Sequence, residues 1–175
     1  TDGIYVSVNG GKLNKVLGST LIKDLVGTNV KGVQTGYIVR GVEALNMTVS
    51  EANIENGVLN TISNDDCIVA KVDEILMNSR KQSCGKCVFC REGLIQLEAM
   101  QKDITEGRGR IDELDMTKEI GEAMTYSTPC SMGQKSSLMP LSAIEVFKNE
   151  YEEHIKKHKC NANVCKAFQK VYINP

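Results

Sequence analysis

The sequence predicts an α+β protein: a small strand-rich unit over residues 1–62, a four-helix bundle over 63–159, and a cysteine-containing tail over 160–175. Two observations predict this. The first part alternates apolar and polar positions between glycine-bearing turns, which is the period of a half-buried strand. After Asn64 the apolar residues recur at helical spacing instead. A third feature marks where the chemistry sits: Cys84, Cys87 and Cys90 form a C-x2-C-x2-C run in the link between the first two helices.

The elements follow in order. "GIYVSVNG" alternates Ile4, Val6 and Val8 and ends in the turn signal Asn9-Gly10-Gly11. "STLIKDLVG" offers Ser19 or Thr20 as N-cap, an apolar stripe of Leu21, Ile22, Leu25 and Val26, and Gly27 as a stop. "KGVQTGYIVRG" and "NGVLNTIS" are expected strands. In "NDDCIVAKVDEILMNSRKQ", Asn64 and Asp65 are candidate caps, and Ile68, Val72, Ile75 and Leu76 share a helical face. A second helix is expected from about Val88 to Gly107. A third places Ile111, Leu114, Ile120 and Met124 at helical spacing. A fourth starts at Pro140, a suitable first-turn residue, and ends in lysines that suit a helix C-terminus.

Composition narrows the function classes. The chain has 175 residues and a net charge of −1, so neither nucleic acid nor direct membrane insertion is expected. No apolar run approaches the ~20 residues of a membrane span. Seven cysteines are an odd number, three of them bunched, in a chain longer than the usual disulfide miniprotein. That pattern suits one metal centre in a reducing, cytoplasmic protein better than a disulfide framework. A chain that opens on Thr1 rather than Met fits a portion of a longer protein.

A C-x2-C-x2-C loop wraps three thiolates around one face of a cubane iron–sulfur cluster. Gly85 allows the loop to curl, and Lys86 and Arg91 offset negative charge. The fourth ligand is expected to be Cys130 in "STPCSMG", another interhelical loop, flanked by Pro129 and Gly133. Four thiolates also satisfy zinc, but structural zinc sites usually combine two C-x2-C-like pairs, which this spacing does not resemble. A second candidate set is Cys67, His154, Cys160 and Cys165, a three-thiolate, one-imidazole arrangement suited to zinc, with His158 as the alternative imidazole. The plainer reading of that set is a solvated helix end with exposed histidines and buried free thiols, and both readings stand at this point.

"SCGKCVFCREG" resembles the cluster motif of the flavoprotein subunit of respiratory complex I and of NAD(P)-linked hydrogenases and formate dehydrogenases, ESCGKC-x-x-CREG. "GVLNTISNDDCIV" and "TPCSMGQKSSLMPLSAIEVFKNEYEEHI" are similar to the flanking segments of that family, and residues 1–44 resemble its ubiquitin-like, soluble-ligand-binding β-grasp domain more loosely. The resemblance implies that Cys84, Cys87, Cys90 and Cys130 ligate one [4Fe–4S] cluster. It implies that the cluster takes electrons from a flavin mononucleotide reduced by NAD(P)H. It further implies partner iron–sulfur subunits of a multi-subunit oxidoreductase. The Gly-rich flavin and nucleotide domain is expected to precede Thr1, so the fragment alone is not expected to be catalytic. "KCNANVCKAF" is similar to a C-P-A-G-V-C-K-A segment of the hydrogenase branch, with Asn161 and Asn163 replacing Pro and Gly. The rival class is a non-redox module stapled by zinc.

Overall fold

A computed structural model describes residues 3–168 of the chain. Two compact units divide between Asp65 and Asp66.

In the first unit, β1 (Gly3–Val8) and β2 (Asn14–Leu17) pair antiparallel. The turn after β1 uses positive φ at Asn9 (52°) and Gly10 (76°), as the Asn-Gly signal predicts. Asn9 Oδ1 accepts the Thr61 N–H at 2.8 Å, which ties the turn to β5. Helix α1 (Ile22–Val26) starts after Leu21 rather than on a Ser19 or Thr20 side-chain cap, and Gly27 ends it at φ 80°. Strands β3 (Gly32–Thr35) and β4 (Ile38–Gly41) form a tight hairpin through Gly36, φ 65°. A 3-10 turn (Val42–Asn46) leads to α2 (Val49–Ala52), capped by Thr48 Oγ1 accepting the Glu51 N–H at 3.1 Å. A second 3-10 turn (Glu55–Gly57) leads into β5 (Val58–Ile62).

The strand order is β2-β1-β5-β3-β4, with β1 and β5 parallel and the other pairs antiparallel. This is the β-grasp order. Val6, Val33 and Leu59 from the sheet bury against Ile22, Ala44, Leu45 and Val49. Strand β2 is the least legible element: in NKVL only Val16 is even half-buried, so no alternation announces it.

In the second unit, α3 (Ile68–Gln82) buries Ile68, Val69, Val72 and Leu76. Its N-cap is Cys67, three and two positions beyond the expected Asn64 and Asp65. Helix α4 (Val88–Thr105) has Cys87 at its N-cap and buries Leu94, Leu97, Gln101 and Ile104. Helix α5 (Asp112–Ser127) puts Asp112, Glu113 and Asp115 in its first turn, where the helix dipole favours them. Its buried face is Glu113, Thr117, Gly121 and Met124; of the predicted stripe Met124 is buried, Leu114 and Ile120 are half-buried, and Ile111 is exposed. The reason lies in close packing. At Gly121 a Cβ would stand 2.9 Å from Leu141 and 3.1 Å from Ser137, so a small residue is required at that contact. A short α6 (Ser131–Lys135) comes next, and the fourth helix predicted from Pro140 is two: α7 (Leu138–Val146) and α8 (Lys148–Lys156). Phe147, at φ −113° and ψ 38°, separates the last two. Helix α7 packs on α3 and α5, whereas α8 packs on α4 and α3, and the break lets one sequence serve both surfaces. Among the described residues no helix is long and apolar enough to cross a membrane.

Candidate metal centres

The C-x2-C-x2-C loop joins α3 to α4. Helix α3 stops at Ser83, whose N–H bonds the carbonyls of Ser79 and Arg80. Gly85 turns the chain at φ 70°, open to glycine and strained for other residues. Its N–H donates to Ser83 Oγ at 3.3 Å, and its carbonyl accepts Arg91 Nη1 at 3.1 Å. The loop is thus curled by its own backbone and pinned by a cation. Cys84 is exposed, Cys87 half-buried and Cys90 buried.

Cys130 arrives from the α5–α6 link. As N-cap of α6, its Sγ accepts the Gly133 N–H at 3.3 Å. Gly133 sits so tightly on Thr128 that a Cβ would come within 2.8 Å of its Cβ and Oγ1. The thiols of both links act on Cys90 electrostatically. Burial pushes the Cys90 thiol up, a hydrogen bond from Ser83 pulls it down, and the charges of Cys130, Cys87 and Cys84 push it up again. Ser83 Oγ lies 3.7 Å from Cys90 Sγ; either can donate in the free thiol, but to a metal-ligating thiolate, which has no proton, only the hydroxyl can. Neither Ser83 nor Gly133 was singled out for such a role from sequence. A hydroxyl directly before the first cysteine, and a glycine three residues after the last, are the only local signals.

The donor set fits an iron–sulfur cluster. Four thiols lie on two interhelical links, and two of them, Cys87 and Cys130, cap helices. Thiolates are stabilised at helix N-termini. Beside the loop, Val88, Phe89, Gly93, Ile120 and Met124 line a mostly apolar groove between α4 and α5.

The second set lies entirely within the helical unit. One ligand atom each from Cys67, His154, Cys160 and Cys165 falls within 4.8 Å of the others, and all four residues are buried. Cys67 Sγ lies 3.3 Å from His154 Nε2 and 3.6 Å from Cys165 Sγ, and Cys165 Sγ lies 3.5 Å from His154 Nε2. His154 Nδ1 donates to the Glu150 carbonyl at 2.8 Å, which leaves Nε2 facing the sulfurs. Phe168 stands edge-on to the imidazole with ring centroids 5.3 Å apart. His158, the alternative imidazole, is exposed in a left-handed conformation (φ 50°) outside this group.

Electrostatics in this pocket are strongly coupled. Cys67 is drawn far down, to about 4, chiefly by its hydrogen bond with Cys165, against burial and with help from His154. The same hydrogen bond, with burial, pushes Cys165 up. Burial disfavours charge on His154, but the hydrogen bond and charge of Cys67 prevail and raise it to about 9.

Residues 70–154 match the NADH-ubiquinone oxidoreductase-F iron-sulfur binding region. The NADP-reducing hydrogenase subunit HndC of Solidesulfovibrio fructosivorans is 30% identical over 159 residues, which cover 85% of this chain and 32% of that protein. An NADH-quinone oxidoreductase subunit of Streptomyces coelicolor is 32% identical over 101 residues, 58% of this chain and 22% of that one. The fold is similar to a chain of an NAD+-reducing [NiFe]-hydrogenase in its H2-reduced state, with a TM-score of 0.79 at 19% identity, covering 90% of this chain and 30% of that one. The chain thus spans about a third or less of the relatives it matches.

Proposed function

From a helical unit whose residues 70–154 belong to the NADH-ubiquinone oxidoreductase-F iron-sulfur binding region, we propose that the chain is an electron relay holding one [4Fe–4S] cluster on Cys84, Cys87, Cys90 and Cys130. The observation that supports this most is the match of residues 70–154 to that iron–sulfur binding region, a span that takes in all four cysteines. When bound, the cluster supplies a one-electron carrier. The chain's own residues hold and tune it. Gly85 and Gly133 shape the two loops, the Gly133 N–H and the Ser83 hydroxyl donate to sulfur, and Arg91 offsets negative charge at the loop.

The source of electrons is a flavin mononucleotide reduced by NAD(P)H in a domain that precedes this chain, and the acceptor is a cluster in a partner subunit. Relatives named as NADH-quinone oxidoreductase and NADP-reducing hydrogenase subunits support both ends of this path. A one-electron cluster held by these cysteines would let the two electrons of a reduced flavin pass singly.

Anaerobic reconstitution tests the reading. About four irons and four sulfides per chain are expected, with an electron paramagnetic resonance signal of [4Fe–4S]+ on reduction. Ala at any of the four cysteines should remove or convert the cluster. A chain that takes up zinc at these cysteines and no iron would overturn the relay.

A further inference from the structure

We propose that the helical unit also holds a zinc ion, bound by Cys67, His154, Cys160 and Cys165 and separate from the cluster. None of these side chains serves in the relay, and three of the four fall outside the family-matched residues 70–154.

The argument is geometric first. Tetrahedral zinc with Zn–S of about 2.3 Å and Zn–N of about 2.0–2.1 Å sets edges of about 3.8 Å between sulfurs and about 3.6 Å between sulfur and nitrogen. The measured edges are 3.6 Å for Cys67 to Cys165, 3.3 Å for Cys67 to His154 and 3.5 Å for Cys165 to His154. Cys160 completes the group within the same 4.8 Å. A disulfide needs about 2.05 Å between sulfurs, so the pocket is not drawn up for a Cys67–Cys165 bond. Nor is there room for a cubane, whose thiolates stand around a core of several irons and sulfides.

The chemistry agrees. Three thiols and one imidazole are soft ligands that favour zinc over magnesium or calcium. Four protein ligands leave no open position, which is the mark of a structural site rather than a catalytic one. The His154 Nδ1–H to Glu150 carbonyl bond is the outer-shell contact that fixes a metal-binding histidine. The site also has structural work to do. Cys67 caps α3, His154 lies on α8, and Cys160 and Cys165 lie on the segment after α8. That segment turns at His158 and Asn163, both with positive φ. Most of its side chains are exposed, and its two cysteines are its buried anchors.

Metal analysis of the full chain, reconstituted anaerobically with iron, sulfide and zinc(II) together, tests the site independently of the relay. About one zinc is expected beside the cluster iron. Cys160→Ala should lower zinc to under about a tenth while iron stays, whereas the double variant Cys84→Ala/Cys130→Ala should lose cluster iron and keep its zinc. Should Cys160→Ala not fold, the double variant still decides. Retained zinc, replaceable by cobalt(II) with the intense visible bands of a tetrahedral thiolate site, supports the proposal. Zinc lost together with the cluster cysteines, a single iron taken up in place of zinc, or weak octahedral cobalt bands overturns it.

Discussion

Removing one hydroxyl should move the cluster's reduction potential without dislodging the cluster. Ser83 sits at the C-cap of α3 with its Oγ 3.7 Å from Cys90 Sγ. Its lone pair receives the Gly85 N–H at 3.3 Å, and to a ligating thiolate, which has no proton, the hydroxyl is the donor. A hydrogen bond to a ligating sulfur stabilises the more negative, reduced state and raises the potential. A bond to a charged group contributes about 1.5–3 kcal/mol. In a one-electron couple, about 1.4 kcal/mol corresponds to about 59 mV, so losing the whole bond in one redox state alone would shift the potential by about 65–130 mV. The bond exists in both states, and only its strengthening on reduction counts. Ser83→Ala should therefore lower the potential by tens of millivolts. Ser83→Thr, which keeps the hydroxyl, should stay close to the parent. The assay is a redox titration followed by the [4Fe–4S]+ resonance, with iron content as the control. A potential unchanged or raised in Ser83→Ala at full iron content would mean that the hydroxyl does not serve the sulfur.

Gly133→Ala tests the other loop: its Cβ would press within 2.8 Å of Thr128, so the Gly133 N–H to Cys130 Sγ bond should be displaced and iron loading should fall while helix content stays. Leu76 is fully buried on α3, and Leu76→Ala should cost about 3 kcal/mol, read from denaturation followed by helical circular dichroism; a loss below about 1 kcal/mol would mean the site collapses without a cavity. Asp73 gives a pH signature. Burial and the nearby Glu98 raise its carboxyl above the ordinary value, so the folded chain holds that proton more tightly than the unfolded one. Stability is then lost as pH rises from about 4 through the raised value. Asp73→Asn should flatten this decline and raise the thermal midpoint at pH 7, and parallel profiles for the two proteins would count against it.

How much was readable depends on whether a feature is local in sequence. The C-x2-C-x2-C run is local, so spacing pointed to a thiolate metal centre, and the resemblance to a family motif pointed to iron–sulfur rather than zinc. The β-grasp strands at Gly3–Val8, Gly32–Thr35, Ile38–Gly41 and Val58–Ile62 carry their alternation and turn glycines on their face. What failed to show were contacts chosen by packing. The buried face of α5 joins Met124 to Glu113, Thr117 and Gly121, and Gly121 must admit Leu141 and Ser137, so an apolar-stripe rule finds only part of that face. The break at Phe147 has neither Gly nor Pro to announce it. Cys67 lies 87 positions from His154, so the sequence offered their set only as one of two open readings, and the fold brings them together. The choice between His154 and His158 rested on one helical turn of spacing. Burial decides it, because His154 is buried on α8 whereas His158 is exposed beyond its end.

The two thiol sets also differ in a way that bears on their roles. Cys67 is the N-cap of α3 and Ser83 its C-cap, so the two centres sit at opposite ends of one 15-residue helix, about 22 Å long. At that separation, beyond the ~8 Å screening length of physiological salt, the second site exerts little direct electrostatic pull on the first. Zinc has no redox states to exchange with a cluster either. Whatever coupling exists runs through α3 as a rigid element. Exposure divides the sets again. Cys84 and Cys130 reach the surface, where an electron has a short path to a partner, whereas Cys67, His154, Cys160 and Cys165 are all buried, where a closed ion is protected from exchange. Removing zinc with a chelator should then release the segment after α8, seen as faster amide exchange over residues 157–168, while the potential of the cluster stays where it was. A cluster potential that moved with the zinc would mean that α3 transmits the loss of its N-terminal anchor to the Ser83 end.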